Sequence, residues 1–156
     1  MPKKRRKRET YPFMGVDFIG ASRSRVRNPK VQPVLPITIW GPHGRRISVE
    51  CALVDTGADF CTCPSTLTKP VGYKLRTGKH VEFFGAAAKG KAWEHFADIS
   101  ILTPDYKAEF CRISKVPLHL VQKRKYFPVL LGRKGFLDQF EIHIDFPRQL
   151  FTLIRL

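Results

Sequence analysis

The stretch Leu53-Val54-Asp55-Thr56-Gly57-Ala58-Asp59 constrains this chain more than any other. Apolar residues finish a strand, and the chain then turns sharply through Thr56 and Gly57. One carboxylate, Asp55, is left at the tip of a tight loop. Gly57 has no side chain, so another backbone can approach closely there. Such a loop can hold its carboxylate against a second copy of itself. The competing explanation is an ordinary turn, since Asp, Thr and Gly all favour turns. The surroundings of the loop decide between the two.

Upstream, Val34–Trp40 is rich in β-branched residues and bounded by prolines, and Gly41-Pro42-His43-Gly44 is a strong turn signal. Ile47, Val49, Cys51 and Leu53 then alternate with Ser48, Glu50 and Ala52. The pattern predicts a hairpin whose second strand runs straight into Asp55. Downstream, residues 61–67 are short and lead to a break at Pro70-Val71-Gly72. Residues 81–84 and 92–102 read as strands flanking Gly85-Ala86-Ala87-Ala88-Lys89-Gly90. This is a small-residue hairpin tip whose backbone N–H groups can come close to a ligand. After a turn at Thr103-Pro104-Asp105, residues 106–113 supply a further strand. Residues 115–126 are basic and interrupted by Pro117, and read as a surface loop or irregular strand.

The apolar run 127–131 ends at Gly132-Arg133, and Phe136, Leu137 and Phe140 follow at helical spacing, which predicts a short C-terminal helix. Residues 141–146 alternate, and residues 151–156 form a C-terminal strand. No βαβ units alternate along the chain. The expected fold is mainly β, a closed or folded-over β-barrel with one short C-terminal helix.

At 156 residues the chain is long enough for one domain with its own core. Residues 1–32 read as a basic, disordered N-terminal tail and arm, and residues 33–156 as the folded domain. Net charge is +15, and six basic residues fall consecutively at Lys3, Lys4, Arg5, Arg6, Lys7 and Arg8. The other 22 basic residues still outnumber the 13 acidic ones. That balance suits anionic partners, with nucleic acid a partner for the Lys3 to Arg8 run. Cys51, Cys61, Cys63 and Cys111 lack zinc-knuckle spacing, and the five histidines are scattered without a ligand pattern. No metal and no cofactor is expected. No apolar run reaches the length of a membrane span, and residues 11–21 are too polar for a signal peptide. The chain is expected in the cytoplasm, or in the nucleus of a host that has one.

The Asp-Thr-Gly-Ala loop after a hairpin, the small-residue hairpin, and Val129-Leu130-Leu131-Gly132-Arg133 before a short helix occur in that order. Together they resemble the retropepsin-like (retroviral-type) aspartic proteases over residues 33–156. The resemblance implies the barrel of that family and an aspartic endopeptidase that cleaves peptide substrates. It makes Asp55 the catalytic aspartate and Thr56 the hydroxyl that links two catalytic loops. Gly57 becomes the close-approach glycine. Ala58 and Asp59 would adjoin the substrate, Arg133 would pair with Asp59 as a partly buried ion pair, and Gly132 would permit the tight turn. Gly85, Ala86, Ala87 and Ala88 would form the substrate-covering flap. The chain departs from the family at Phe60, where small or polar residues are frequent, at Lys134, and in its alanine-rich flap with Lys89. These departures bear on substrate preference and flap motion rather than on the chemistry.

Aspartic proteolysis needs two carboxylates around one water, and the chain carries one such loop. Asp105, Asp138 and Asp145 lack the Thr-Gly-Ala context. The expected form is therefore a homodimer, with residues 151–156 supplying interface strands. The rival readings are a catalytically silent retropepsin-like binding module and a nucleic-acid-binding barrel. The latter would use Phe83, Phe84, Trp93 and Phe96 beside basic residues.

Overall fold

The computed structural model describes residues 6–16, 30–85, 88–122 and 128–156. Its strands are Arg8–Pro12 (β1), Met14–Val16 (β2), Lys30–Gln32 (β3), Val34–Trp40 (β4), Arg46–Val54 (β5) and Cys61–Pro64 (β6). They continue with Lys79–Gly85 (β7), Ala88–Leu102 (β8), Glu109–Val121 (β9), Leu130–Leu131 (β10), Phe140–Asp145 (β11) and Leu150–Arg155 (β12). The fold is mainly β, as its alternating patterns require.

The expected hairpin is β4 and β5, joined by a 3-10 turn over Pro42–Gly44. Pro36 falls where the β4–β5 register shifts, so its missing N–H removes no ladder bond. Seven strands follow the order β4-β5-β10-β6-β9-β8-β7, and β4 also pairs with β8. Pairing therefore returns to its start, with β7 hanging on the far end of β8. Leu35, Ile37, Ile39, Val54, Cys61, Ile99, Leu118, Leu120 and Leu131 lie in one buried core.

Four segments differ from the sequence reading. The expected C-terminal helix is only a 3-10 turn over Leu137–Gln139, because Phe140 already belongs to β11. Eight residues separate β10 from β11, and Arg133 and Lys134 among them are committed to backbone bonds with the Asp55 loop. The α-helix among the described residues is instead Thr68–Val71 (α1), ended by Gly72 in the left-handed conformation at the place read as a break. The basic stretch from Lys115 continues as strand to Val121, and residues 123–127 lie outside the described residues. Pro117 is tolerated there because β6 joins β9 only from Leu118 onward. A bulge precedes it, where Lys115 takes φ +55° and donates its backbone N–H to Asp98 (3.1 Å).

The fourth difference is the N-terminus, where the chain is folded well before Pro33. β1 zips along β12 from Arg8 opposite Ile154 to Pro12 opposite Leu150. Tyr11 is fully buried, stacks on Phe151 at 5.4 Å, and donates its hydroxyl to the Leu102 carbonyl (3.0 Å). Thr10 and Thr152 share a hydroxyl hydrogen bond of 2.8 Å on the other face. The resulting three-stranded sheet has the order β1-β12-β11. The C-terminal strand, expected to supply an interface strand to a second copy, is paired on both sides within its own chain. Of the basic run, Arg6, Lys7 and Arg8 are described and exposed, while Lys3, Lys4 and Arg5 lie outside the described residues. No helix among the described residues is long and apolar enough to cross a membrane.

This packing makes Tyr11 a stability residue. Tyr11→Ala is expected to cost about 3–5 kcal/mol, as for other buried aromatics. Tyr11→Phe is expected to cost about 1 kcal/mol, the value of one hydrogen bond. Urea unfolding followed by fluorescence measures both, and an unchanged midpoint for Tyr11→Ala contradicts the observed burial.

Candidate active site

The Asp55 loop is held by β10, which is inserted between β5 and β6. Leu130 and Leu131 run parallel to Leu53 and Val54 on one side, and Leu130 faces Thr62 antiparallel on the other. Leu53 N–H donates to Val129 O (2.9 Å), and Asp55 N–H donates to Leu131 O (3.1 Å). The ladder thus ends on the backbone of Asp55 itself. The Ala58 N–H closes the turn onto Asp55 O at 3.1 Å. The Gly57 N–H donates to the Asp55 carboxylate at 3.0 Å, which orients the side chain. A Cβ at Gly57 would sit 3.2 Å from that same oxygen. Asp55 and Ala58 are half-buried, while Thr56 and Gly57 are exposed. Among the described residues, the Thr56 hydroxyl has no side-chain hydrogen bond.

Residues after β10 clamp the far end of the loop. Arg133 N–H donates to Ala58 O (2.9 Å), and Lys134 N–H donates to Asp59 O (2.7 Å). Gly132 is required for this approach, because a Cβ there would stand 2.4 Å from the backbone of Phe60. The guanidinium of Arg133 also reaches the Asp59 carboxylate, and Lys134 Nζ lies 3.6 Å from its other oxygen. The hydrogen bond from Arg133, with Lys134 assisting, holds the Asp59 carboxyl below its usual range. The side chains of Arg133 and Asp59 are 59% and 49% exposed, so this pair is solvated rather than partly buried as expected. It orients the loop more than it stabilises the fold.

Other strands complete the surroundings. Gly85 pairs with Ala88 across the tip of the β7–β8 hairpin, so Ala88 to Gly90 belong to a strand rather than to a long loop. Ala86 and Ala87 lie outside the described residues. Phe84 is exposed under Lys89 Nζ, 5.4 Å from the ring centroid. Phe60 continues the Asp55 loop and stacks on His119 at 4.4 Å, and His119 bonds Glu94 at 3.0 Å. No sequence motif singles out His119 or Glu94, since they meet only through strand register. Cys61 and Cys63 are buried free thiols, and burial pushes Cys61 up to about 12, away from nucleophilic use.

No protein-family model and no curated protein sequence matches this chain. Among solved structures, it is similar to the crystal structure of a retropepsin-like aspartic protease from Rickettsia conorii, with a TM-score of 0.55. The match covers 99% of this chain and 98% of that one at 16% sequence identity. The likeness is one of fold. It extends over the N-terminal strand as well as the hairpin that carries Asp55.

Two outcomes follow from this geometry. Gly132→Ala forces a Cβ into the Phe60 backbone and is expected to cost about 1–3 kcal/mol, read from the urea midpoint. Asp59 is expected to titrate below the ordinary carboxylate value, and Arg133→Ala to bring it back up, as followed by carboxyl NMR. Because the folded value is depressed, any stability from this pair is present above the unfolded carboxylate pKa. It is lost as pH falls through the folded value, and salt weakens it.

Proposed function

We propose that this chain is an aspartic endopeptidase that hydrolyses peptide bonds with water activated between two Asp55 carboxylates, one from each subunit of a homodimer. The observation that carries this reading is the Asp55 loop itself. In a retropepsin-like fold it sits at the end of β5, with its carboxylate oriented by the Gly57 N–H. The cyclic pairing of β4, β5, β10, β6, β9 and β8 is read as the folded-over barrel of that family.

A second copy is part of the proposal because the other described aspartates are engaged locally. Asp59 accepts from Arg133, Asp98 from Arg112 and Lys115, Asp105 from Thr103, Asp138 from Gly135, and Asp145 from Arg148. Two Asp55 side chains that meet across a twofold axis hold one proton between them, because two like charges so close resist joint ionisation. The ionised member takes a proton from water as the water oxygen bonds to the peptide carbonyl carbon. The protonated member donates to the carbonyl oxygen as it gains charge. Collapse then breaks the C–N bond, and the amine leaves with a proton.

Thr56, exposed beside Asp55, is assigned to the contact between the two loops. Gly57, Ala58 and Asp59 are assigned to the floor of the substrate cleft, and Gly85 to Ala88 to a flap above it. Arg133 and Gly132 support the loop from behind. An extended peptide would add main-chain bonds along this cleft as a strand does. β12 is already flanked by β1 and β11, so strand contacts between subunits would use the outer edges of those two. The exposed Arg6, Lys7 and Arg8 favour one further partner class, nucleic acid, independent of the protease reading.

Asp55→Asn is nearly isosteric and is expected to abolish peptide cleavage while leaving the unfolding midpoint in place. A statine-type transition-state mimic is expected to inhibit the unaltered protein. Specific activity is expected to fall on dilution in step with dimer dissociation by sedimentation. Full activity of Asp55→Asn, or a monomer with concentration-independent activity, sinks the assignment. Oligonucleotide binding by fluorescence anisotropy, with and without residues 1–8, tests the basic run separately.

A further inference from the structure

One row of residues crosses the sheet in register beside the Asp55 loop. Leu53 on β5 faces Leu130 on β10, Leu130 faces Thr62 on β6, Thr62 faces His119 on β9, and His119 faces Glu94 on β8. Opposite partners in a sheet project from the same face. Thr62 and His119 are buried, and the Thr62 hydroxyl has no hydrogen-bond partner among the described residues. Phe60 lies just before β6, and its ring reaches this row through His119.

The Phe60 ring touches two groups. It stacks on the His119 imidazole, with centroids 4.4 Å apart and planes 24° apart. Lys134 Nζ lies 4.9 Å from its ring centroid. His119 Nε2 is held in turn by Glu94 at 3.0 Å, and Lys134 also reaches Asp59 at 3.6 Å. Lys79 on β7 is the partner opposite Glu94. A continuous line of contacts therefore runs from the hairpin strand β8 to the residue that ends the Asp55 loop. Backbone bonds clamp residues 55 to 59, but no backbone bond from that clamp holds Phe60. Gly132 packs on its backbone, and its ring adds a side-chain hold on the loop.

We propose that Glu94 and His119 are positioning residues for the Asp55 loop, acting through the stacked ring of Phe60. The proposal rests on the protease reading for its catalytic consequence and on geometry alone for its structural one. Glu94 fixes the imidazole orientation, and the imidazole plane sets the tilt of Phe60. That tilt sets where the peptide from Asp59 to Phe60 leaves the turn. Aromatic stacking favours this nearly parallel arrangement, and the Lys134 cation adds a cation–π contact to the same ring. A loop freed from this hold would let Asp55 wander from its partner and from the shared water. The chemical step would suffer while substrate binding along the cleft would not.

The test uses the full chain with His119→Leu, Phe60→Leu, Glu94→Gln and Phe60→Tyr. Two readouts are needed: steady-state kinetics on a cleaved peptide, and amide hydrogen exchange at Gly57 and Ala58. For His119→Leu and Phe60→Leu, kcat is expected to fall by about 10- to 100-fold, the scale set by small misplacements of catalytic groups, with KM nearly unchanged. Amide exchange at Gly57 and Ala58 is expected to speed up in both. Glu94→Gln retains a hydrogen bond and Phe60→Tyr retains the stack, so both are expected to stay near the unaltered protein. The double variant His119→Leu with Phe60→Leu is expected to lose no more than either single change.

Unchanged kcat and exchange in folded His119→Leu and Phe60→Leu overturn the proposal. So does a loss that appears only as a lower unfolding midpoint. If the unaltered protein cleaves nothing yet the two variants still free the Gly57 amide, the protease reading fails and the positioning role stands.

Discussion

The insertion of β10 between β5 and β6 satisfies main-chain groups along both edges of a strand only two residues long. The other local geometry of the Asp55 loop depends on it. Leu131 accepts from Asp55, and the residues that follow return to the same loop through Arg133 and Lys134. Gly132 is the hinge of this arrangement because the Phe60 backbone occupies the space a side chain would need. A loop that begins on one strand is therefore bonded at both ends to a segment about 75 residues later in the chain. Such a brace suits a carboxylate that must be presented at fixed height, since Thr56 and Gly57 themselves are exposed and make few contacts.

The terminal sheet solves a different problem. A C-terminal strand rich in Phe151, Leu153 and Ile154 would invite pairing with another molecule if its edges were open. Here β1 and β11 cover both edges, and Tyr11 extends the core to the Leu102 carbonyl. The same segment that carries the basic run is thus tied into the fold from Arg8 onward. Charge and structure are adjacent there, but their consequences differ. The strand contributes burial, whereas the exposed Arg6, Lys7 and Arg8 at its start add positive charge to the field around that end of the chain.

Polar interactions around the site fall into two groups by solvent exposure. The Asp59 pair with Arg133 and Lys134 is exposed, so its value is directional rather than energetic. The His119–Glu94 contact is largely shielded from solvent, beside a Thr62 hydroxyl with no hydrogen-bond partner among the described residues. In less polarisable surroundings a hydrogen bond carries more weight, and misplacing either partner costs more. Phe60 joins the two groups, touching both Lys134 and His119.

Much of this was legible in the residues taken one after another. The β4–β5 hairpin, its turn at Pro42 and the Asp-Thr-Gly-Ala loop all depend on neighbours within a few positions. Alternation, turn chemistry and the absence of a side chain report such features directly. The C-terminal 3-10 turn was misread because Phe136, Leu137 and Phe140 match a helical period, although the last of them had to start β11. The strand through Pro117 was misread because its tolerance depends on where β6 joins it. β1 was misread because a short basic segment gains its order from β12, some 140 residues away.

The sequence by itself determined which carboxylate stands at a loop tip, since that is a local property of chain chemistry. The tertiary structure alone decided that β12 is closed on both sides, that Asp59 and Arg133 meet in solvent, and that Phe60, His119 and Glu94 form one line. Those outcomes rest on strand register. Register is set by the whole sheet and leaves no trace in the spacing of the residues it brings together.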